Sequence, residues 1–394
     1  MTVARGREFL SIPGPTNVPD EVLQAMHRPA VDIYSGGMVA IGQSCHDDMR
    51  KVFNTRERVY IYSSNGHGAW EAAFSNVLSK GDKVLVLESG RFAVGWGEMA
   101  KFMGAEIETL PGSLRRAVDP AKVTARLKED KAHTIKAIMV VQIDTATSCV
   151  NDIPAIRKAI DEAGHPALLM VDAVASLGCM PFEMDAWGID VAMSGSQKGL
   201  MTPPGLAFVA ASKKAKAVHQ NAGMRTMYWD WSFRDGEISY HKYCGTPPEH
   251  LLFALRKSMD LLFAEGQENA HKRHALLAEA VRQAVAKWAE GQVLSFNITE
   301  PTERSNSVTN VLVQGRNPQD ILDYAREKCG VVVGVGIGDL VGKAFRIAHM
   351  GHTNAPMVFG TLGAIDMALK ALKIPHGEGA VQAAVDYLAR EVPA

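Results

Sequence analysis

The sequence predicts an α/β fold with a mainly parallel sheet in a large domain and a smaller α/β domain after it. Two observations predict this arrangement. Short apolar runs alternate with helical patterns as far as residue 210, and long helical stretches replace that alternation from about residue 246. With 394 residues, 47% of them hydrophobic and 22% charged, the chain can bury a large core and divide into two domains.

Each predicted strand of the large domain is a brief run of apolar and β-branched residues. Helical periodicity fills several of the intervening segments, for example 68–78 and 153–162. Alternation of this kind connects neighbouring parallel strands through helices. The strands are predicted at 59–62, 84–88, 138–142, 168–172, 191–194 and 207–210.

The domain boundaries follow from breaks in this pattern. The prolines and glycine of 12–19 cannot continue as helix or central strand, so residues 1–20 are predicted to form an N-terminal arm. Helical patterns and further strands occur late in the chain, at 248–265, 269–289, 308–313 and 331–335. The arm is therefore expected to precede a large domain and a small domain, at 21–264 and 265–394.

Composition excludes several classes of function. Lys plus Arg number 42 and Asp plus Glu 43, so no charge excess favours nucleic acid or a membrane surface, and a small-molecule ligand is expected. No apolar run approaches the roughly 20 residues that span a bilayer, and the start of the chain lacks the apolar stretch of a signal peptide. The five cysteines are widely spaced and odd in number, which indicates free thiols in a cytoplasmic protein. Histidine pairs lack the partners of a metal site, so none is expected.

Polar residues that follow predicted strands are candidates for a ligand site, since ligands of open α/β sheets bind at the carboxyl ends of strands. Residues 63–68 combine small side chains with a helix start, which favours an anion such as phosphate, although a plain tight turn has the same composition. Asp172 ends a buried strand, where a carboxylate needs a positive or hydrogen-bonding partner. A helix-capping role is the alternative for Asp172.

Two cationic residues complete this set. Lys198 follows another apolar strand among small residues, and burial would lower its pKa and free the amine as a nucleophile, although most lysines lie at the surface. Arg346 interrupts an apolar, strand-like run and would suit a carboxylate, whether of a ligand or of an internal salt bridge. Together, an anion-binding helix start, an aspartate, a lysine and an arginine are what a pyridoxal phosphate enzyme requires.

These residues stand within motifs that resemble class V of the fold-type I pyridoxal phosphate enzymes, in particular the alanine/serine–glyoxylate aminotransferases. The resemblance covers nearly the whole chain and implies the fold-type I architecture with a seven-stranded sheet in the large domain. The motifs are Pro-Gly-Pro-Thr-Asn-Val-Pro at 13–19, Gly66-His67, Asp172, Ser-Gly-Ser-Gln-Lys at 194–198, Pro-Pro-Gly at 203–205 and Phe-Arg-Ile-Ala-His-Met-Gly at 345–351.

The resemblance also implies a role for each matching residue. Lys198 would bind the cofactor aldehyde covalently and move a proton during transfer, and Asp172 would pair with the pyridine nitrogen. Arg346 would hold the substrate carboxylate. The phosphate would be held by Gly66, His67 and Gln197, and the ring would contact Phe92, Val174 and Thr145. Tyr243 and Thr246 would reach the phosphate in a neighbouring subunit, which implies a homodimer.

The implied activity is ping-pong transfer of an amino group to a small 2-oxo acid, either glyoxylate or pyruvate. Serine, alanine, aspartate or a less common amine would be the donor. Serine-type relatives commonly carry a His-Arg pair soon after the aspartate that matches Asp32, whereas this chain has Tyr34 in that region. We therefore predict that Tyr34 lines the substrate pocket.

Two alternatives remain at this stage. A class V lyase such as a cysteine desulfurase would need a mobile nucleophilic cysteine, and Cys329 lies in the appropriate half of the chain. However, Cys329 ends a predicted helix, and Phe92 occupies the position where such lyases usually have a histidine. A noncatalytic binding protein with the same fold is the other alternative. Glycines at 334–338 lack the spacing of a dinucleotide loop and are expected to border the substrate entrance.

Overall fold

A seven-stranded sheet and a five-stranded sheet organise the chain in the computed structural model, which describes residues 2–392 and also contains a small two-stranded sheet. The strands are β1 Phe9–Ser11, β2 Val59–Ser64, β3 Lys83–Leu87, β4 Glu106–Leu110, β5 Ile135–Val141, β6 Ile143–Asp144, β7 Cys149–Val150, β8 Leu168–Asp172, β9 Val191–Gly195, β10 Gly205–Ala211, β11 Leu294–Phe296, β12 Val308–Val313, β13 Val331–Val335 and β14 Ala344–Ala348. The helices are α1 Asp20–Met26, α2 Gly37–Phe53, α3 Gly66–Ser75, α4 Arg91–Met103, α5 Pro120–Glu129, α6 Ile153–Glu162, α7 Lys213–His219, α8 Trp231–Arg234, α9 Ser239–Tyr243, α10 Glu249–Glu265, α11 Gln267–Ala289, α12 Pro318–Cys329, α13 Ala355–Ala371 and α14 Ala380–Glu391.

The larger sheet has seven strands in the order β2-β10-β9-β8-β5-β3-β4. Every neighbouring pair is parallel except the two that involve β10, so the predicted, mainly parallel sheet is confirmed. The six predicted strands are all present, within about three residues of the predicted ends. The edge strand β4 was not predicted, because its partly exposed sequence Glu-Ile-Glu-Thr-Leu has no continuous apolar run.

Helix α6 illustrates how the sequence produces the layers on this sheet. Asp152 caps the helix by accepting a hydrogen bond from Ala155 N, and a proline occupies the first turn. The helix buries Ile153, Ile156 and Ile160 against the sheet. Burial of each isoleucine contributes about 1.5–3 kcal/mol, so the apolar stripe rather than helix propensity holds α6 in place.

The second sheet has five strands in the order β1-β13-β14-β12-β11, and helices α11, α13 and α14 pack around it. Residues Phe9–Ser11 of the predicted arm form its edge strand, parallel to Val331–Val333. Helix α10 ends at Glu265 and α11 begins at Gln267, so residue 265, where the small domain is predicted to begin, is the last residue of α10. Within residues 2–392, no helix is long and apolar enough to cross a membrane.

Candidate active site

A cavity of about 470 Å³ opens at the carboxyl ends of the central strands β5, β8 and β9. The structure places most of the predicted site residues in its wall. These are Gly66, His67, Phe92, Thr145, Asp172, Val174, Gln197, Lys198 and Arg346. The end of β13 and the glycine-containing loop that follows it also border the cavity, through Val333, Gly334, Val335 and Ile337.

The end of the cavity that is predicted to bind an anion is the start of helix α3. This helix begins at Gly66, two residues earlier than predicted, so Gly66 and His67 lie in its first turn. Asn65 lies in the predicted anion-binding segment 63–68, lines the cavity and accepts hydrogen bonds from His67 N and Gly68 N. A side chain at Gly66 would approach Val174 to 3.3 Å, so glycine keeps this wall open. Burial, reinforced by nearby positive charge, lowers the pKa of His67.

Gln197 carries an unsatisfied polar atom at the cavity. Its Oε1 is buried and has no hydrogen-bond partner among residues 2–392. Buried polar groups without partners are rare and costly. The side-chain amide has an acceptor oxygen and an NH₂ group with two donors. After rotation of the amide by 180°, the NH₂ group could donate to a phosphate oxygen.

The Asp172 carboxylate is fixed at the end of β8. Its Oδ2 accepts a hydrogen bond of 2.7 Å from Trp70 Nε1, and its Oδ1 accepts one of 2.7 Å from Val174 N. Burial raises the pKa of Asp172 to about 6, against the effect of both hydrogen bonds and of the Lys198 charge. The group is therefore ionised at neutral pH and can hold a proton on a nearby ring nitrogen.

Lys198 is buried beneath the N-terminal arm. Burial, followed by the charge of Arg346, lowers its pKa to about 8, so a substantial share of the amine is neutral near physiological pH. Its Nζ contacts Pro13 O. Gly14 has φ +112°, and a Cβ there would lie 2.6 Å from Lys198 Cε, so only glycine lets the arm pass this closely. Thr16 accounts for two further contacts of 3.0 Å, from its N to Gln197 O and from its Oγ1 to Lys198 O.

Arg346 enters the cavity from β14 of the second sheet. Its Nε donates to Val335 O at 2.6 Å and its Nη1 donates to Thr145 O at 3.0 Å. Within the described chain Nη2 makes no hydrogen bond. Burial lowers the pKa of Arg346 to about 10, which leaves the guanidinium charged at neutral pH. It can therefore bind a carboxylate in a fixed orientation.

Asp144 ties the cavity wall to helix α4 and was not among the predicted site residues. Its fully buried carboxylate accepts hydrogen bonds from Phe92 N, Ala93 N and Ala146 N. Burial raises the pKa of Asp144. Because these contacts fix Phe92 and the segment next to Thr145, Asp144 positions residues of the cavity wall without lining the cavity itself.

Three predicted residues lie outside this cavity. Tyr34 is 74% exposed and stacks on Tyr240, with ring centroids 6.3 Å apart. Tyr34 therefore does not line the cavity of its own chain, because its segment runs along the surface, and its place in a substrate pocket stays a prediction. Thr246 is exposed, whereas Tyr243 is buried and its Oη has no partner among the described residues. Contact of Tyr243 with a neighbouring subunit would require its ring to leave this position.

The residues present fit pyridoxal phosphate. A partly neutral amine, an ionised carboxylate, a helix start and an unpaired amide surround one cavity. These groups match the aldehyde, the ring nitrogen and the phosphate of pyridoxal phosphate. Cys329, by contrast, ends α12 and does not line the cavity, and burial raises its pKa. This placement argues against a nucleophilic role for Cys329.

Comparison with known proteins agrees with this geometry. Residues 9–342 match the family described as Aminotransferase class-V. The chain is 39% identical to the serine–glyoxylate aminotransferase of Methylorubrum extorquens, over 98% of this chain and 97% of that protein. It is 36% identical to the L-aspartate–glyoxylate aminotransferase of Paracoccus denitrificans, over 97% and 96%. The crystal structure of pyridoxamine–pyruvate aminotransferase from Mesorhizobium loti superposes with a TM-score of 0.90 at 26% identity, over 100% of both chains. The chain therefore belongs to the class V aminotransferases, a fold-type I family that depends on pyridoxal phosphate.

Proposed function

We propose that the chain transfers the amino group of a neutral α-amino acid to glyoxylate, with Lys198, Asp172 and Arg346 as the residues that carry the chemistry. One observation carries the proposal. These three charged side chains come from β14 and from the ends of β8 and β9, yet all three line the same cavity. Buried charges without a ligand would destabilise the fold, so their convergence is typical of a functional site.

Each residue has a distinct task in this scheme. Bound pyridoxal phosphate would supply an aldehyde that takes up the amino group and a ring that withdraws electrons from the substrate α-carbon. Asp172 holds a proton at the pyridine nitrogen, and Arg346 orients the substrate through its carboxylate. Lys198 Nζ would remove the proton of the substrate α-carbon. It would deliver that proton to the cofactor carbon that is attached to the transferred nitrogen. Burial lowers the pKa of Lys198 to about 8, so part of the amine is neutral and able to accept a proton near physiological pH.

Glyoxylate is the preferred acceptor because the relatives from Methylorubrum extorquens and Paracoccus denitrificans are both named as glyoxylate aminotransferases. In the first half-reaction the donor loses its amino group and leaves as a 2-oxo acid. In the second, glyoxylate gains that group and leaves as glycine. Pyruvate is the alternative acceptor, which the Mesorhizobium loti enzyme is named for.

The cavity favours a neutral donor over aspartate. Among residues 2–392, the cavity wall contains one arginine, Arg346, and one lysine, Lys198. Arg346 is assigned to the carboxylate of the donor and Lys198 to proton transfer. Near Arg346 the wall is apolar and includes Ile12, Val335 and Ile337. A second carboxylate would lose hydration there without gaining a cation, which costs free energy. Serine or alanine avoids this cost.

A homodimer in the cytoplasm is the proposed setting. The stacked pair Tyr34 and Tyr240, with Ile238 at 61% exposure, provides an apolar surface that a second copy could cover. All five cysteines are free. Free thiols are usual in a reducing compartment.

The test is a half-reaction with single donors. Purified enzyme loaded with pyridoxal phosphate is mixed with serine, alanine or aspartate without acceptor, and the absorbance of the bound cofactor is followed. We expect rapid conversion with serine or alanine and slow conversion with aspartate. Glyoxylate, added second, should restore the original spectrum and release glycine. Faster conversion by aspartate than by either neutral donor would overturn the donor assignment, and restoration by pyruvate alone would overturn the acceptor.

A further inference from the structure

Trp70 is the side-chain hydrogen-bond partner of Asp172. It lies on α3, is 3% exposed, and donates from Nε1 to Asp172 Oδ2 at 2.7 Å. An indole N–H can only donate, so this bond requires Oδ2 to remain an acceptor. The other oxygen, Oδ1, accepts from Val174 N. The carboxylate is therefore held at both oxygens, and both contacts favour its ionised form.

The indole has little freedom to move. Its ring lies 4.5 Å from the His67 ring, 6.3 Å from the Phe92 ring and 6.2 Å from the stacked Trp96 ring, measured between centroids. Two of these neighbours line the anion-binding end and the ring-stacking position of the cavity. Trp70 thus connects three parts of the cofactor site through one rigid group.

We propose that Trp70 is a positioning residue that keeps the Asp172 carboxylate ionised and aimed at the pyridine nitrogen of the cofactor. The proposal rests on the role given to Asp172 above. Burial alone favours the neutral acid, and the indole bond opposes it. Without Nε1–H, the carboxylate would bind a proton itself or rotate about its Cβ–Cγ bond, and it would stabilise the protonated ring less.

The experiment compares two ligands that differ at one atom. Apo-protein is titrated with pyridoxal phosphate and with its 1-deaza analogue, in which carbon replaces the ring nitrogen, and the dissociation constants are measured by fluorescence. We expect Trp70→Phe to weaken binding of pyridoxal phosphate about tenfold, which is typical for loss of a hydrogen bond to a charged group, and to leave the analogue unaffected. Equal weakening of both ligands, or of neither, would overturn the proposal.

Trp96→Phe is the matched control. Trp96 is also fully buried and stacks on Trp70, but its Nε1 has no partner among the described residues. Its removal should change the ratio of the two dissociation constants by less than about twofold, because no hydrogen bond to a charged group is lost. A change as large as that of Trp70→Phe would mean that aromatic packing, not the bond to Asp172, sets the ratio.

Asp172→Asn separates this inference from the proposed function. If Asp172 does not face the ring nitrogen, Asp172→Asn will leave the ratio at its wild-type value, and the proposed role of Asp172 fails. If Asp172→Asn changes the ratio while Trp70→Phe does not, only the present inference fails. In the Asp172→Asn background, Trp70→Phe should have no further effect on the ratio.

A second measurement needs no substitution at position 70. The chain has six tryptophans, whose indole N–H signals can be followed by NMR after ¹⁵N labelling. One signal of the apo-protein should shift as the pH falls through about 6, where Asp172 takes up a proton. Asp172→Asn should abolish that shift. A shift that persists in Asp172→Asn would come from another group, such as the His67 ring 4.5 Å away, and would contradict the proposal.

Discussion

The predicted site residues fall into two groups that the structure treats differently. Asp172 ends β8, Lys198 follows the end of β9 and Arg346 lies within β14, and the three meet in one cavity, whereas Tyr34 and Thr246 lie at the surface. A sheet fixes the first group, because hydrogen bonds between strands within one chain determine where each strand ends. The second group depends on surface segments whose final contacts another subunit would provide. Residues placed by a sheet can be assigned from one chain, while residues on such segments cannot.

The largest expected effect tests the first group. Lys198→Ala removes the amine that moves the proton, so the rate of amino-group transfer should fall by about 10³-fold or more. Stopped-flow absorbance with the preferred donor measures it. Lys213→Ala is the control, since the Lys213 side chain is 91% exposed and should leave the rate unchanged. A rate within tenfold of wild type for Lys198→Ala would contradict the assignment.

Arg346→Lys should have the next largest effect. Lysine keeps the charge but cannot reproduce the planar guanidinium held by Val335 O and Thr145 O. We expect KM for the donor to rise about 10–100-fold with a smaller change in kcat, measured by steady-state kinetics. Arg316→Lys, at an exposed position, serves as the control. An unchanged KM would show that the substrate carboxylate binds elsewhere.

Because the charge of Lys198 is buried, replacing this residue with an apolar one should stabilise the fold by an amount that depends on pH. Its folded pKa of about 8 is below the ordinary 10.5, so the cost of burying the ammonium is fully present below pH 8 and disappears as the pH rises towards 10.5. Lys198→Met should therefore raise the free energy of unfolding of the apo-protein by about 3 kcal/mol at pH 7, since one unit of pKa shift corresponds to about 1.4 kcal/mol. Urea titrations should show a smaller increase in the free energy of unfolding at pH 10 than at pH 7. A larger increase at pH 10 than at pH 7 would contradict the prediction.

The smallest expected effect concerns the second group. Because Tyr34 is exposed on its own chain, Tyr34→Phe should change the relative rates for serine, alanine and aspartate by less than about twofold. Tyr240→Phe, which alters the stacked partner, is the matched variant. A larger change confined to Tyr34→Phe would show that its hydroxyl reaches the cavity of a neighbouring subunit.

Much of the site could be predicted because its signals are local in sequence. Asp172 directly ends an apolar run, and Lys198 follows another at a short distance, so alternation alone places both at one edge of the sheet. Asp144 and Trp70 carry no such signal. Their importance arises from contacts with residues far along the chain, such as Phe92 for Asp144 and Asp172 for Trp70. A buried carboxylate or indole is recognised only when its partners are known.

The buried position of Tyr243 has a similar origin. Its ring packs near His46, and a Cβ at Gly42 would lie 2.7 Å from its hydroxyl, so a glycine on α2 creates the space that it fills. The sequence spacing of Tyr243 and Thr246 does not reveal this space. The role of both residues towards a second subunit stays a prediction.

The path of the arm links the two sheets at the reactive amine. Ser11 ends β1 on the small sheet and donates to Ala348 O, and five residues later Thr16 is bonded to the carbonyl of Lys198. Arg346 belongs to the same small sheet. The strand that leads to Pro13 and the strand that carries Arg346 therefore belong to one sheet. A substitution that shifts this sheet would change the surroundings of the Lys198 amine and the position of the Arg346 guanidinium together.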